Sequence, residues 1–255
     1  MEMKMRKTLY KIGLVGVLAV TACGGGSTDP FDDPNFKGGD SGGSGPALTA
    51  TLKGKIAFEG TAPTPKKIQT SADPGCMNPG LVSEETVVSD GGLENVIIYV
   101  SGGLEGMSFS TPREVVTLDQ HGCQYVPHAI TLMTGQELLI RNSDETAHNV
   151  HAWAEVNPPF NESQASKGLE TRKKFDKEEI MLPIRCDVHN WMNAFVGVFK
   201  HPLSTVSKTG GAFEMKLPAG SYEITAIHEK LGKQSQKVDV AENGTVELNF
   251  TFKAS

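Results

Sequence analysis

The 255-residue chain has room for one large or two small domains, and its 38% apolar content is enough to build a packed core. Its 24 basic and 30 acidic residues give a net charge of −6 with no basic cluster, which argues against nucleic acid as a partner. Glycine (28) and proline (14) are plentiful and long helical periodicity is absent, so an all-β fold is expected.

At the start, Lys4, Arg6, Lys7 and Lys11 precede an apolar run from Ile12 to Ala22. That run is too short to span a bilayer, which takes about 20 residues. It ends in Val20-Thr21-Ala22-Cys23 and resembles a bacterial lipoprotein signal. The resemblance implies that residues 1–22 are removed, that Cys23 is lipidated, and that the protein is exported and tethered to a membrane through it. Gly24 after the cysteine, in place of aspartate, points within that resemblance to the outer membrane, facing the periplasm. An ordinary secretory signal cleaved nearby is the other reading, and it too exports the chain. Removing residues 1–22 leaves 20 basic and 29 acidic residues, a net −9, which suits a partner with a cationic docking face. Residues 23–47, rich in glycine and serine, read as a flexible tether.

Residues 48–112 form an N-terminal β segment in this reading. A strand is expected at 51–60, where Leu52, Ile56 and Phe58 alternate with polar neighbours. A proline-broken loop follows through Cys76, and a second strand is expected at 95–100 after Asp90-Gly91-Gly92. Residues 113–201 carry a tighter rhythm, with strands expected at 114–118, 123–126, 129–133, 136–142, 148–153, 171–176, 182–186 and 194–200. That spacing fits an antiparallel Greek-key sandwich. Residues 154–170, with Pro158 and Pro159, read as loop, and Lys173 to Glu179 as a solvated strand end. Pro183 makes its strand an edge strand or a bulged one.

The last segment, 202–255, has Gly211-Ala212-Phe213 and Leu217-Pro218-Ala219-Gly220-Ser221-Tyr222. These residues resemble the carboxypeptidase regulatory-like (transthyretin-like) β-sandwich modules. Further strands are expected at 236–240 and 245–252. The segment is short for such a module, and the strands at 51–60 and 95–100 look like its opening strands. The expected arrangement is a sandwich from 113–201 inserted into a second, discontinuous one.

The chemistry concentrates in Cys186-Asp187-Val188-His189-Asn190-Trp191-Met192. Leu182, Ile184 and Cys186 share one strand face by the two-residue period, so the sulfur ends a buried face. His189 and Met192 follow on one short loop. With a second imidazole, here His148 in His148-Asn149-Val150-His151, the thiolate, two imidazoles and thioether suit copper in a trigonal His₂Cys site with a long axial methionine. These residues resemble the cupredoxins, most closely the amicyanin-type blue copper proteins. The resemblance implies one type 1 copper ion held by His148, Cys186, His189 and Met192, with Asn149 bracing the thiolate and the ligand loop. It further implies that His189 reaches the surface as the electron exit, with Trp191, Met192 and Phe195 around it, and that an envelope redox protein is the partner.

Cys23 and Cys186 are thereby assigned, which leaves Cys76 and Cys123 as the natural disulfide in an oxidising compartment. Pairing of Cys186 with either would remove the copper site. His151 reads as non-ligating, and His121, His128, His201 and His228 as structural. Gly102-Gly103-Leu104-Glu105-Gly106 reads as a turn rather than a nucleotide loop, and no Cys-x-x-Cys-His is present for covalent haem. Electron transfer is the leading function. The alternatives are copper binding or delivery without redox turnover, or an adhesion module. No acid–base pair, nucleophile set or second copper centre marks the chain as an enzyme.

Overall fold

A computed structural model describes residues 45–254 except 72 and 77, within the compact unit Ser41–Ser255. The signal segment 1–22, the lipidation site Cys23 and the tether up to residue 44 lie outside the described residues. The described chain is all-β, with two hydrophobic cores, each enclosed by its own pair of sheets.

The chain opens with β1 (Ala50–Glu59), β2 (Val88–Ser89), β3 (Gly92–Leu93) and β4 (Ile97–Gly102). It returns at its end with β14 (Ser204–Val206), β15 (Ala212–Leu217), β16 (Gly220–His228), β17 (Gly232–Val240), β18 (Thr245–Glu247) and β19 (Phe250–Lys253). Sheet order is β15-β1-β3-β2, with β18 and β19 both on β1, against β14-β4-β16-β17. Leu52, Ile56, Ile98, Val100, Phe213, Leu217, Ile224, Phe250 and Phe252 fill the space between them. Early and late residues therefore share one core.

Glycine 54, the break in the alternation of β1, has a structural cause. β18 runs parallel to residues 51–53 and β19 parallel to 56–59, and the chain steps from one to the other at Leu248. A Cβ on Gly54 would lie 1.8 Å from the Leu248 carbonyl oxygen, so only glycine admits this approach. The same step splits the single strand expected at 245–252. The Pro218-Ala219-Gly220 turn does not close a paired hairpin. It carries the chain from one sheet to the other, with the Tyr222 hydroxyl donating to Pro218 O at 3.0 Å.

Between these two halves run β5 (Val116–Gln120), β6 (Tyr125–Val126), β7 (Ala129–Met133), β8 (Leu138–Asn142), β9 (His148–Ala152), β10 (Phe160–Gln164), β11 (Glu170–Lys173), β12 (Glu179–Arg185) and β13 (Asn193–Phe199). They build sheets β10-β9-β12-β13-β7 and β11-β8-β5-β6 around Leu118, Ile130, Leu138, Ile140, Val150, Leu182, Ile184, Val196 and Val198. The sheets are mixed rather than purely antiparallel, since β13/β7 and β5/β8 run parallel.

Of three local expectations two are corrected, and for Pro183 the bulged alternative holds. The stretch read as loop at 154–170 contains β10, an edge strand paired with β9. Its sequence Phe-Asn-Glu-Ser-Gln buries Gln164 rather than an apolar side chain, so it carries no alternating hydrophobic signal. Pro183 lies inside the sheet, and the strand accommodates it with a register shift between Glu179 and Leu182 and a positive φ of 60° at Met181. Glu179, read as solvated, is buried: its carboxylate accepts from the backbone N–H groups of Glu155 (2.6 Å) and Asn157 (2.9 Å) and from the Asn157 side chain (2.9 Å).

The two cores meet where the chain enters and leaves the inner pair of sheets. Tyr99, Ile97, Ala129 and Phe199 form a third buried cluster there. Nearby, His128 Nε2 hydrogen-bonds Glu229 at 2.7 Å, and His228 lies buried with no partner for its Nε2. Burial, with His128 and Lys230 adding to it, depresses the His228 pKa from 6.5 to about 4. Between those values the unfolded chain binds a proton that the folded chain refuses, so stability falls as pH drops from 6.5 to 4. The loss from this group is roughly 3 kcal/mol at full extent. His228→Asn keeps an acceptor for the Lys230 N–H and removes the titration. Urea unfolding at pH 7 and pH 4.2 should show the variant losing less stability than the parent on acidification; parallel losses would contradict this.

Candidate metal centre

His148, Cys186, His189 and Met192 are all buried in the inner sandwich, at one end of the β9/β12/β13 sheet. β9 begins at His148, which places one imidazole on the rigid scaffold. Cys186 follows the last residue of β12, and the loop to β13 folds back on itself: Met192 N–H donates to His189 O (2.9 Å) and Cys186 N–H to Met192 O (3.1 Å). Two backbone hydrogen bonds thus fix the spacing of three donors.

The geometry of the imidazoles is the most informative feature. His148 Nδ1 and His189 Nδ1 face each other at 3.0 Å, and Cys186 Sγ lies 3.9 Å from His189 Nδ1. One donor atom from each of His148, Cys186 and His189 falls within 4.8 Å of the others. The opposite ring nitrogens are both committed to carboxylates. His148 Nε2 lies 2.9 Å from Asp144 Oδ2, and His189 Nε2 lies 2.9 Å from Asp73 Oδ2. An anionic carboxylate accepts the Nε2 proton, which leaves the lone pair on Nδ1. Two ring nitrogens and a sulfur therefore converge on one point, where a cation could take the place of a proton held between them.

The surroundings favour the thiolate. Burial raises the Cys186 pKa, but the His148 hydrogen bond and the backbone N–H groups of Asn149, His189 and Val188 outweigh it and bring it below the usual thiol value. Burial likewise acts to lower the His148 pKa, and Asp144 and Cys186 overcome it, so the ring is pushed up to about 9. The two shifts are reciprocal: the ring and the thiolate stabilise each other's charged forms, with Asp144 adding to the ring's side and the backbone N–H groups to the thiolate's.

Asn149 ties the scaffold to the ligand loop. Its Oδ1 accepts from Asp187 N–H at 2.6 Å, and its Nδ2 donates to Asn161 Oδ1 at 2.6 Å. His151 points elsewhere, with its Nδ1 3.0 Å from Asp187 Oδ1 and its ring beside Trp153. Cys76 and Cys123 are joined in a disulfide, and Cys186 is free.

The expectation that His189 reaches the surface is not met. Asp73 and the short 3₁₀ turn Pro74–Cys76 lie over it, with Cys76 Sγ 3.5 Å from Nε2. Met192 is buried as well, and Trp191 and Phe195 are half-buried, so the described residues form no open apolar patch around the imidazole. Exposed apolar side chains nearby are Val188 and Trp153. Sequence reasoning missed Asp73 and Asp144. Asp144 stands four residues before His148, but Asp73 is 116 residues from His189, and nothing local marks it.

No protein-family model matches the sequence, and no curated protein matches it. Solved structures similar to the chain include a Cu-containing nitrite reductase from Thermus scotoductus (19% identity, 38% of this chain and 24% of that one, TM-score 0.33). They also include a mutant of amicyanin in its Cu(I) form (18% identity, 33% and 81%, TM-score 0.30) and a purple cupredoxin from Nitrosopumilus maritimus (18% identity, 32% and 98%, TM-score 0.29). The chain spans about a quarter of the length of the nitrite reductase.

Proposed function

We propose that His148, Cys186, His189 and Met192 hold one copper ion as a type 1 centre, and that the protein carries single electrons. The observation that supports this reading most is the pair of facing Nδ1 atoms, each turned inward by a carboxylate on its Nε2, beside a thiolate. Soft sulfur with two imidazoles and a thioether on the same loop suits copper, whereas methionine is a poor zinc ligand. Bound copper supplies a one-electron couple between its +1 and +2 states.

The chain's own residues supply the rest. His148 comes from a strand, and the other three donors from a loop closed by its own backbone hydrogen bonds. Such a frame resists rearrangement when the charge changes, which keeps the barrier to electron transfer low. The buried donors also exclude water and outside ligands, which fits a carrier better than an enzyme that must admit a substrate.

In this proposal Cys23 is lipidated and holds the protein at the bacterial envelope, with the outer sandwich acting as a carboxypeptidase regulatory-like module and an envelope redox protein as partner. Voltammetry of the copper-loaded chain should give one reversible one-electron wave, with copper retained through repeated cycles. Copper surrendered to a chelator on the first reduction would support delivery instead of electron transfer. Cys23→Ser should move the protein from the membrane fraction to the soluble one; an unchanged distribution would contradict the anchor.

A further inference from the structure

Resting on the copper reading, we propose that residues 73–76 are a clasp over His189, that Asp73 is the positioning residue for its imidazole, and that the Cys76–Cys123 disulfide holds the clasp in place. The segment belongs to no sheet of either sandwich; it lies in the long connection between β1 and β2. Its placement over the metal centre therefore comes from a small number of identifiable contacts.

The Asp73 carboxylate is fully engaged. Oδ2 accepts hydrogen bonds from His189 Nε2–H (2.9 Å) and the Thr146 hydroxyl (2.8 Å), and Oδ1 accepts from the Gly75 N–H (2.7 Å). Gly75 lets the turn press against the segment that leads into the strand of the other histidine: a Cβ there would lie 2.5 Å from Thr146 Cβ, two residues before His148. The turn is thus fitted to both halves of the site.

The disulfide adds a second level of organisation. Cys123 N–H and Gly122 N–H donate to the two oxygens of Asp144 (2.8 and 2.7 Å), the carboxylate that orients His148. The Cys123 carbonyl accepts from Trp191 Nε1 at 3.0 Å, on the ligand loop itself. A covalent line therefore runs from the segment bearing Asp73, through Cys76 and Cys123, to the N–H groups that hold Asp144. One bridge couples the two carboxylates that aim the two imidazoles.

Two consequences follow. A carboxylate on Nε2 makes the imidazole a stronger donor, which stabilises the +2 state of a bound copper and lowers its potential. The covered Nε2 edge also keeps His189 from swinging away from the metal, so copper leaves slowly.

The test uses the whole chain loaded with one copper per molecule. Asp73→Asn should raise the reduction potential, because a neutral partner polarises the ring less. It should also speed copper transfer from the reduced protein to bathocuproine disulfonate by about 10-fold or more, the usual cost of losing a partner that orients a ligand. Asp73→Glu should recover part of both effects. The double variant Cys76→Ser/Cys123→Ser should keep its thiolate-to-copper absorption and show the faster transfer. A parent protein with that absorption, but with Asp73→Asn matching it in potential and transfer rate, would overturn the clasp and leave the copper site standing. A parent without the absorption would instead defeat the copper reading.

Discussion

Cys186→Ser is expected to abolish the visible sulfur-to-copper absorption and to weaken copper binding by more than the ~10–100-fold that follows loss of an outer partner. Serine is close in size, and position 186 is held by a backbone hydrogen bond to Met192 O that the substitution leaves in place. The fold should therefore survive while the chemistry does not. The hydroxyl stays protonated where the thiol gives up its proton, so the substitution removes the anion that His148 and three backbone N–H groups are arranged around. Copper titration of variant and parent, followed by absorbance, checks this. Retention of the parent's band in the serine variant would show that some other sulfur, or none, binds the metal.

Phe199→Ala is expected to cost about 3–5 kcal/mol of stability, the range for emptying a buried aromatic site. For a chain of this length that lowers Tm by roughly 10 °C. The size of the effect follows from where the ring sits. It is fully buried at the end of β13, stacked on Tyr99 of β4 at 4.7 Å between centroids and beside His201 at 5.7 Å. It also covers Gly197, where a Cβ would lie 2.7 Å from the ring. Tyr99 belongs to the outer pair of sheets and Phe199 to the inner, so the substitution empties the joint between them. Calorimetry of the variant measures it directly. A change below about 1 kcal/mol would mean that the joint collapses to refill the space.

How much of this was legible beforehand depended on range along the chain. The ligand loop could be read because its donors recur at three-residue spacing on one short turn. Strands such as β7 and β13 could be read because apolar residues face a core at a two-residue period. What escaped the sequence was organised by polar or distant partners. β10 is a strand whose buried anchor is Gln164, hydrogen-bonded to Gln120, Ile140 O and Thr171 rather than packed in oil-like surroundings. The first half of β17 is polar as well, stabilised by its ladder with β16. The clasp on His189 is the plainest case. Asp73 looks like any loop aspartate until the disulfide and Thr146 bring it to the imidazole, and its presence reverses the expectation of a surface-exposed exit.

That reversal bears on the redox partner the proposal invokes. Under the proposed function, a partner would meet the disulfide-braced Asp73–Cys76 turn rather than a bare imidazole edge.

The central claim is that four buried side chains form one thiolate–copper centre. Its most direct measurement is the visible and EPR spectrum of the whole chain after addition of one equivalent of Cu(II). The account predicts an intense visible absorption that saturates at one copper per chain, with a small parallel hyperfine splitting from strong thiolate bonding. A colourless sample with an ordinary wide splitting, or no stoichiometric binding, would contradict it.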